Sequence, residues 1–238
     1  MRAEIDAEEM SRGFAPAGSE RRLDVLHPRF PRWLKFGFWF CIVIAVAVVL
    51  RRVIALLGPP NQTAPPQLAA LDAYFASHAA LTWAHILCAL TFVSLLPFLF
   101  WHRTQNSSWL ERAFLILGLI VGSTAYAMSV HAVGGWLERS AVLLFNTLFL
   151  ASLAQVFVSI RRGDVVQKRR WTIRAVAILL GIATTRPVMG VFFATSRLTH
   201  LAPRQFFGIA FWIGFSLNTL AIELWLRKST TAGAKIRL

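Results

Sequence analysis

The stretch IRAVAILLGIATTRPVMGVFF, residues 173–193, decides the fold. Its length matches the roughly 20 apolar residues that a helix needs to cross the hydrocarbon core of a bilayer. Five further runs of similar length and composition lie elsewhere in the chain. The sequence therefore reads as an all-α integral membrane protein, a bundle of about six transmembrane helices with no soluble domain. Within the quoted stretch stands Arg186. A guanidinium at that depth costs several kcal/mol unless it has a partner, so it marks a functional site or a structural polar contact.

Composition supports this class. Hydrophobic residues make up 56% of the chain and charged residues 15%, with a mean hydropathy of +0.57, too apolar for an ordinary soluble domain. A formal charge of +14 would suit a nucleic-acid partner. The Lys and Arg residues, however, lie between apolar runs rather than on one basic face, so topology accounts for them and no nucleic-acid partner is expected. Cys41 and Cys88 both fall inside apolar runs, where small soft hydrophobes are commoner than a disulfide or a metal site.

The pattern predicts spans over residues 36–57, 79–100, 113–133, 141–160, 172–193 and 205–226. Residues 1–35 form a polar tail interrupted by Pro16, Gly18 and Pro28, expected to be disordered, and residues 227–238 a short basic tail. An acidic start argues against a cleaved signal peptide. The segment 58–70 holds four prolines and reads as a loop. Orientation follows from the basic residues: Arg161, Arg162, Lys168, Arg169 and Arg170 fall between spans four and five, with Arg29, Arg32 and Lys35 before the first span and Arg227, Lys228, Lys235 and Arg237 after the last. By the positive-inside rule both termini are expected in the cytoplasm, in the cell's inner membrane. The opposite connections carry fewer, Arg139, Arg197 and Arg204. Trp33, Trp101, Trp109, Trp171 and Trp225 then fall near the cytoplasmic interface, and Trp83 and Trp136 near the other.

With that topology, a rise of about 1.5 Å per residue places Arg51, His85, His131, Asn146 and Arg186 in one layer of the outer leaflet, with Arg52 and His78 at its edge. The nearest acids, Asp72 and Glu138, fall in connections rather than spans. Guanidinium stays charged and matches carboxylate or phosphate in a two-point contact, so an external anion is the expected compensator: a lipid phosphate, haem propionates or a small anionic solute. Arg51 and Arg52 lie close enough to an interface to reach water and headgroups. Arg186 is deeper, and Pro187 after it frees a carbonyl that, with Thr184 and Thr185, is expected to share its polar region.

His85 and His131 make the most specific cofactor hypothesis. Imidazoles at similar depth on neighbouring antiparallel helices are a ligand set for haem b, with arginines left over for the propionates. Other residues read as structure. Glu223 precedes Arg227 by four positions and is expected to pair with it. Asn218 is expected to bond between helices, and Gly118, Gly122 and Ala125 to permit close helix approach. The basic segment 161–170 is suited to anionic lipid headgroups.

The residues Arg161-Arg162-Gly163-Asp164, Lys168-Arg169-Arg170-Trp171, Arg174 and Thr185-Arg186, with Gly134-Gly135 earlier, resemble the predicted membrane proteins of domain-of-unknown-function family 2306. The resemblance runs from about His85 to Phe193. It implies a multi-helix membrane architecture and draws attention to His85 and Arg186, which correspond to a histidine and an arginine of the family pattern. It implies no reaction. Two positions depart from the pattern: Glu111-Arg112 stands where the family usually has His-Arg, and Lys168 where it usually has His.

Three readings follow. The first is a polytopic protein whose outer-leaflet polar pocket binds an anionic or redox-active small molecule through Arg186, Asn146 and Arg51. The second is a redox protein holding haem b or a quinone at His85 and His131. The third is a transporter-like or accessory subunit that packs against a membrane partner or a second copy; no convincing inverted repeat supports transport.

Overall fold

The computed structural model describes residues 30–58, 76–100, 107–199 and 203–235. Six helices lie within them: α1 (Arg32–Leu57), α2 (Ala79–Leu99), α3 (Ser108–Ser129), α4 (Gly135–Arg161), α5 (Val165–Thr199) and α6 (Pro203–Lys235). All six are long and apolar enough to cross a membrane, and no strand occurs among the described residues. The physical reason is that lipid offers no hydrogen bonds, so each span must satisfy its backbone within itself.

The helices exceed the predicted runs mainly at their polar ends. α4 starts six residues before the expected span and takes Glu138 into its first turn. α5 starts at Val165, so Lys168, Arg169 and Arg170 stand on a helix rather than in a loop. Apolar periodicity cannot see these polar turns. The expected tail before Phe30, the proline-rich segment, Asp72, Trp101 and the side chains of Arg197 and Arg204 lie outside the described residues.

Only Arg162–Asp164 separates α4 from α5. Gly163 stands at φ +67°, the left-handed conformation that costs glycine nothing. It lets the Asp164 and Gly163 amides donate back to the carbonyls of Ser159 and Ile160 at 3.0 and 3.1 Å, the pair of bonds that closes a helix C-terminus in a Schellman motif. The Asp164 Oδ1 then accepts from the Gln167 amide at 2.9 Å and caps α5.

α1 to α5 form a ring in which each helix packs on the next and α5 returns to α1, while α6 braces the ring against α4 and α5. α1 is the least enclosed, held through Cys41, Ile42 and Ala45. The α5–α6 seam is closest because glycine faces backbone there: a Cβ at Gly214 would stand 2.7 Å from the Thr185 nitrogen. Gly118 and Gly122 play the expected part in the α3–α4 seam, against Leu153 and Leu150. Phe92, Phe114 and Phe149 fill the centre, with ring centroids of Phe92 at 5.2 Å from Phe114 and 6.1 Å from Phe149.

Candidate functional site

Packing of the five-helix ring leaves a cavity of about 290 Å³. Its polar lining includes Arg52, Thr82, His85, Ser129, Glu138, Asn146 and Arg186, with His131 at the edge. The structure thus gathers residues from five elements that are far apart in sequence, and most of the expected polar layer is among them.

Arg186 is half-buried and faces the cavity. Among the described residues it makes no hydrogen bond and no ion pair within 4 Å. Glu138, Arg52 and Arg51 act on it through space. The expected helpers look elsewhere. Thr184 donates to Asn218 Oδ1 at 2.9 Å, and Thr185 turns back to the Ile182 carbonyl at 2.7 Å. Both hydroxyls are consumed within the α5–α6 seam, which Gly214 brings so close.

Glu138 is the residue that sequence reasoning misplaced. It was expected in a connection, but it lines the cavity from the first turn of α4, where an acid suits the positive end of the helix. Its Oε2 accepts from the Gly134 amide. Gly134 and Gly208 hold this corner tight, since a Cβ on Gly134 would lie 2.9 Å from the Glu138 Cβ and 3.0 Å from the Gly208 nitrogen. A carboxylate fixed this way balances part of the Arg186 charge without closing on it.

His85 is anchored from α3: its Nδ1 lies 2.8 Å from Thr124 Oγ1. Thr124 Oγ1 also lies 2.8 Å from the Ile120 carbonyl, to which it donates. A hydroxyl has one proton, so with that proton on the carbonyl the His85 Nδ1–H is the donor and Nε2 keeps its lone pair. Asn146 donates to the Gly122 carbonyl at 2.9 Å, a contact between α3 and α4 rather than to Arg186. Arg51 is exposed and absent from the cavity wall, whereas Arg52 lines it; the arginine expected at the site is displaced by one residue, a rotation of about 100° on a helix.

The structure lends haem no support at these histidines. A bis-histidine haem needs two imidazole nitrogens aimed at one iron from opposite sides of a flat macrocycle. Here the His131 ring packs on His78, with centroids 4.3 Å apart. A cavity of about 290 Å³ also falls at the small end of ligand sites, which span roughly 300–1,000 Å³.

The family described as predicted membrane protein (DUF2306) matches residues 81–226, more than half of the chain. The chain belongs to that family. The match is wider at both ends than the resemblance read from the sequence, and it takes in most of α6 together with His85, Glu138, Asn146 and Arg186. No curated protein and no solved structure matches the chain.

At the other end of the bundle Glu111 and Lys168, which the resemblance singled out, prove to be partners. Lys168 Nζ donates to Glu111 Oε1, joining α5 to α3. Glu223 was expected to pair with Arg227, and does so at 3.6 Å, but its main partner is Arg174 on α5. Arg174 donates twice, at 2.9 and 3.1 Å, and stacks its guanidinium 4.5 Å from the Trp171 ring centre. A local i, i+4 rule finds Arg227 and cannot find Arg174, which lies 49 positions away.

Proposed function

We propose that this DUF2306 protein binds a small anion in the central cavity, with Arg186 as the anchor. The observation that carries the reading is a guanidinium that faces a cavity between apolar, membrane-spanning helices and has no hydrogen-bond partner among the described residues. An isolated arginine costs about 2.5–3.5 kcal/mol at the centre of a span on insertion scales, and less toward its ends. Repulsion from Arg52 and Arg51 adds to that cost and Glu138 offsets part of it; a two-point contact with a carboxylate or phosphate offsets more. The fixed Glu138 and the anchored His85 would then shape which anion is accepted.

The test is the melting temperature of the purified protein in mild detergent, with acetate or inorganic phosphate added at constant ionic strength against a chloride control. A ligand at 100 times its Kd stabilises by about 2.7 kcal/mol. Arg186→Lys should weaken the effect because an ammonium lacks the planar two-point geometry, and Arg186→Gln should abolish it. Equal shifts in wild type and both variants would overturn the reading.

Placement of the cavity in the outer leaflet rests on the basic residues at the opposite end of the bundle. In a background with Cys41 and Cys88 replaced by Ala, Trp136→Cys should react with a membrane-impermeant thiol reagent in intact cells and Arg162→Cys should not. The reverse labelling would invert the orientation.

A further inference from the structure

Resting on the anion-binding reading, we infer that the anion brings an acidic O–H of its own: it is an oxyanion that still carries a proton, such as the monoanion of a phosphate or phosphonate, rather than a fully ionised sulfate or sulfonate. The unused polar atoms on the cavity wall point there. Arg186 offers donors only, because a guanidinium has N–H groups and no acceptor. Glu138 and His85 line the same cavity and offer acceptors. As a carboxylate, Glu138 spends Oε2 on the Gly134 amide and leaves Oε1 without a partner among the described residues. His85 spends its Nδ1–H on Thr124, whose own proton goes to the Ile120 carbonyl, so Nε2 presents a lone pair that nothing among the described residues takes up. Neither atom is sealed off, since Arg139 Nε is the one side-chain polar atom among the described residues that is both fully buried and unpartnered. Asn146 donates to Gly122 and keeps an oxygen and a second N–H, so it suits either kind of ligand atom.

A wall with donors on one helix and acceptors on two others sorts anions by a single proton. A protonated oxyanion seats two oxygens on the Arg186 fork and gives its O–H to Glu138 Oε1 or His85 Nε2, and a hydrogen bond to a charged partner is the stronger kind. A fully ionised anion of the same shape makes the arginine contact equally well. It then sets its lone pairs against those of Glu138 and His85 and leaves both acceptors unpaired, away from water, where an unpaired polar group is costly. Arg52 and Arg51 add their positive charge to that of Arg186, so an anion is admitted beside the carboxylate. The arginines therefore select for negative charge, and Glu138 with His85 selects for the proton.

The experiment compares two ions of one shape and one charge: methylphosphonate, held below its second ionisation so that it keeps an O–H, and methanesulfonate, which has none. Protection of the whole protein in lipid nanodiscs against thermal unfolding is read at one pH and constant ionic strength. Methylphosphonate should bind at least about tenfold more tightly, and inorganic phosphate should exceed sulfate in the same sense. Glu138→Gln exchanges an acceptor for a group that also donates, so it should weaken methylphosphonate and strengthen methanesulfonate, a crossover that simple damage to the fold does not produce. Thr124→Val keeps His85 but releases its tautomer, and should narrow the gap. Nanodiscs containing phosphatidate, whose headgroup carries the same O–H, set against phosphatidylglycerol, whose diester has none, separate a lipid source from a free ion; protection by phosphatidate or by the soluble phosphonate supports the inference. If methanesulfonate binds as tightly as methylphosphonate, or the gap survives both Glu138→Gln and Thr124→Val unchanged, the O–H inference fails and the anion reading stands. If none of these anions protects, or Arg186→Gln binds them as the wild type does, the anion reading fails with it.

Discussion

The two ends of this bundle treat charge in opposite ways. At the end formed by the α4–α5 turn, the acids reach cations on another helix: Arg174 grips Glu223 with two hydrogen bonds and Lys168 holds Glu111. At the end that holds the cavity, Arg186 has no hydrogen bond among the described residues, and Glu138 spends its carboxylate oxygen on a backbone amide. The first arrangement is complete and ties α5 to α6 and α3. The second leaves a half-buried charge with unused donors, in the medium where such a charge is most costly. Closed pairs lock helices together; an open one leaves a place for something from outside the chain.

The largest expected effect that tests this contrast is on stability. Arg174→Gln removes two charge-assisted hydrogen bonds and the contact with Trp171, and should destabilise the protein by about 2–3 kcal/mol. Arg186→Gln should leave stability unchanged or raise it without ligand, because it removes a costly charge that has no direct partner among the described residues. Unfolding of both variants in the same detergent decides the matter. Comparable losses would show that Arg186 is structural after all.

A smaller effect sharpens the closed end. Glu111→Lys and Lys168→Glu should each lower stability by about 1 kcal/mol, and the double reversal should recover most of the loss, a coupling within the usual 0.5–3 kcal/mol of contacting pairs. Additive losses would mean that the ion pair is incidental. The smallest effect concerns the open end. Thr124→Val removes the partner of His85 and should cost about 0.6 kcal/mol, the mean for a hydrogen bond between membrane helices. A loss several times larger would place His85 among the structural contacts.

Class and helix number were legible in the sequence because the bilayer dictates both: a span must be apolar and about 20 residues long, and six runs satisfy that. Arg186, His85 and Asn146 stood out as polar residues in those runs, and a uniform rise per residue was enough to bring them to one level. The errors were of two kinds. Glu138 was placed in a connection because hydropathy marks where a helix turns apolar, not where it begins. Arg51 was chosen over Arg52 because depth is read along the helix axis, whereas a neighbour is chosen by rotation around it.

By itself, then, the sequence determined the solvent, the number of spans and the depth of the polar residues, all set by composition along one dimension. Only the tertiary structure decided who faces whom: that Arg174 rather than Arg227 is the principal partner of Glu223, that Glu111 and Lys168 meet, that His131 lies against His78. It also left Arg186 facing a cavity with no direct partner among the described residues. The physical reason is that partnership between helices depends on their rotation and close approach, and glycines such as Gly214, Gly208 and Gly134 set that approach by letting one backbone reach another.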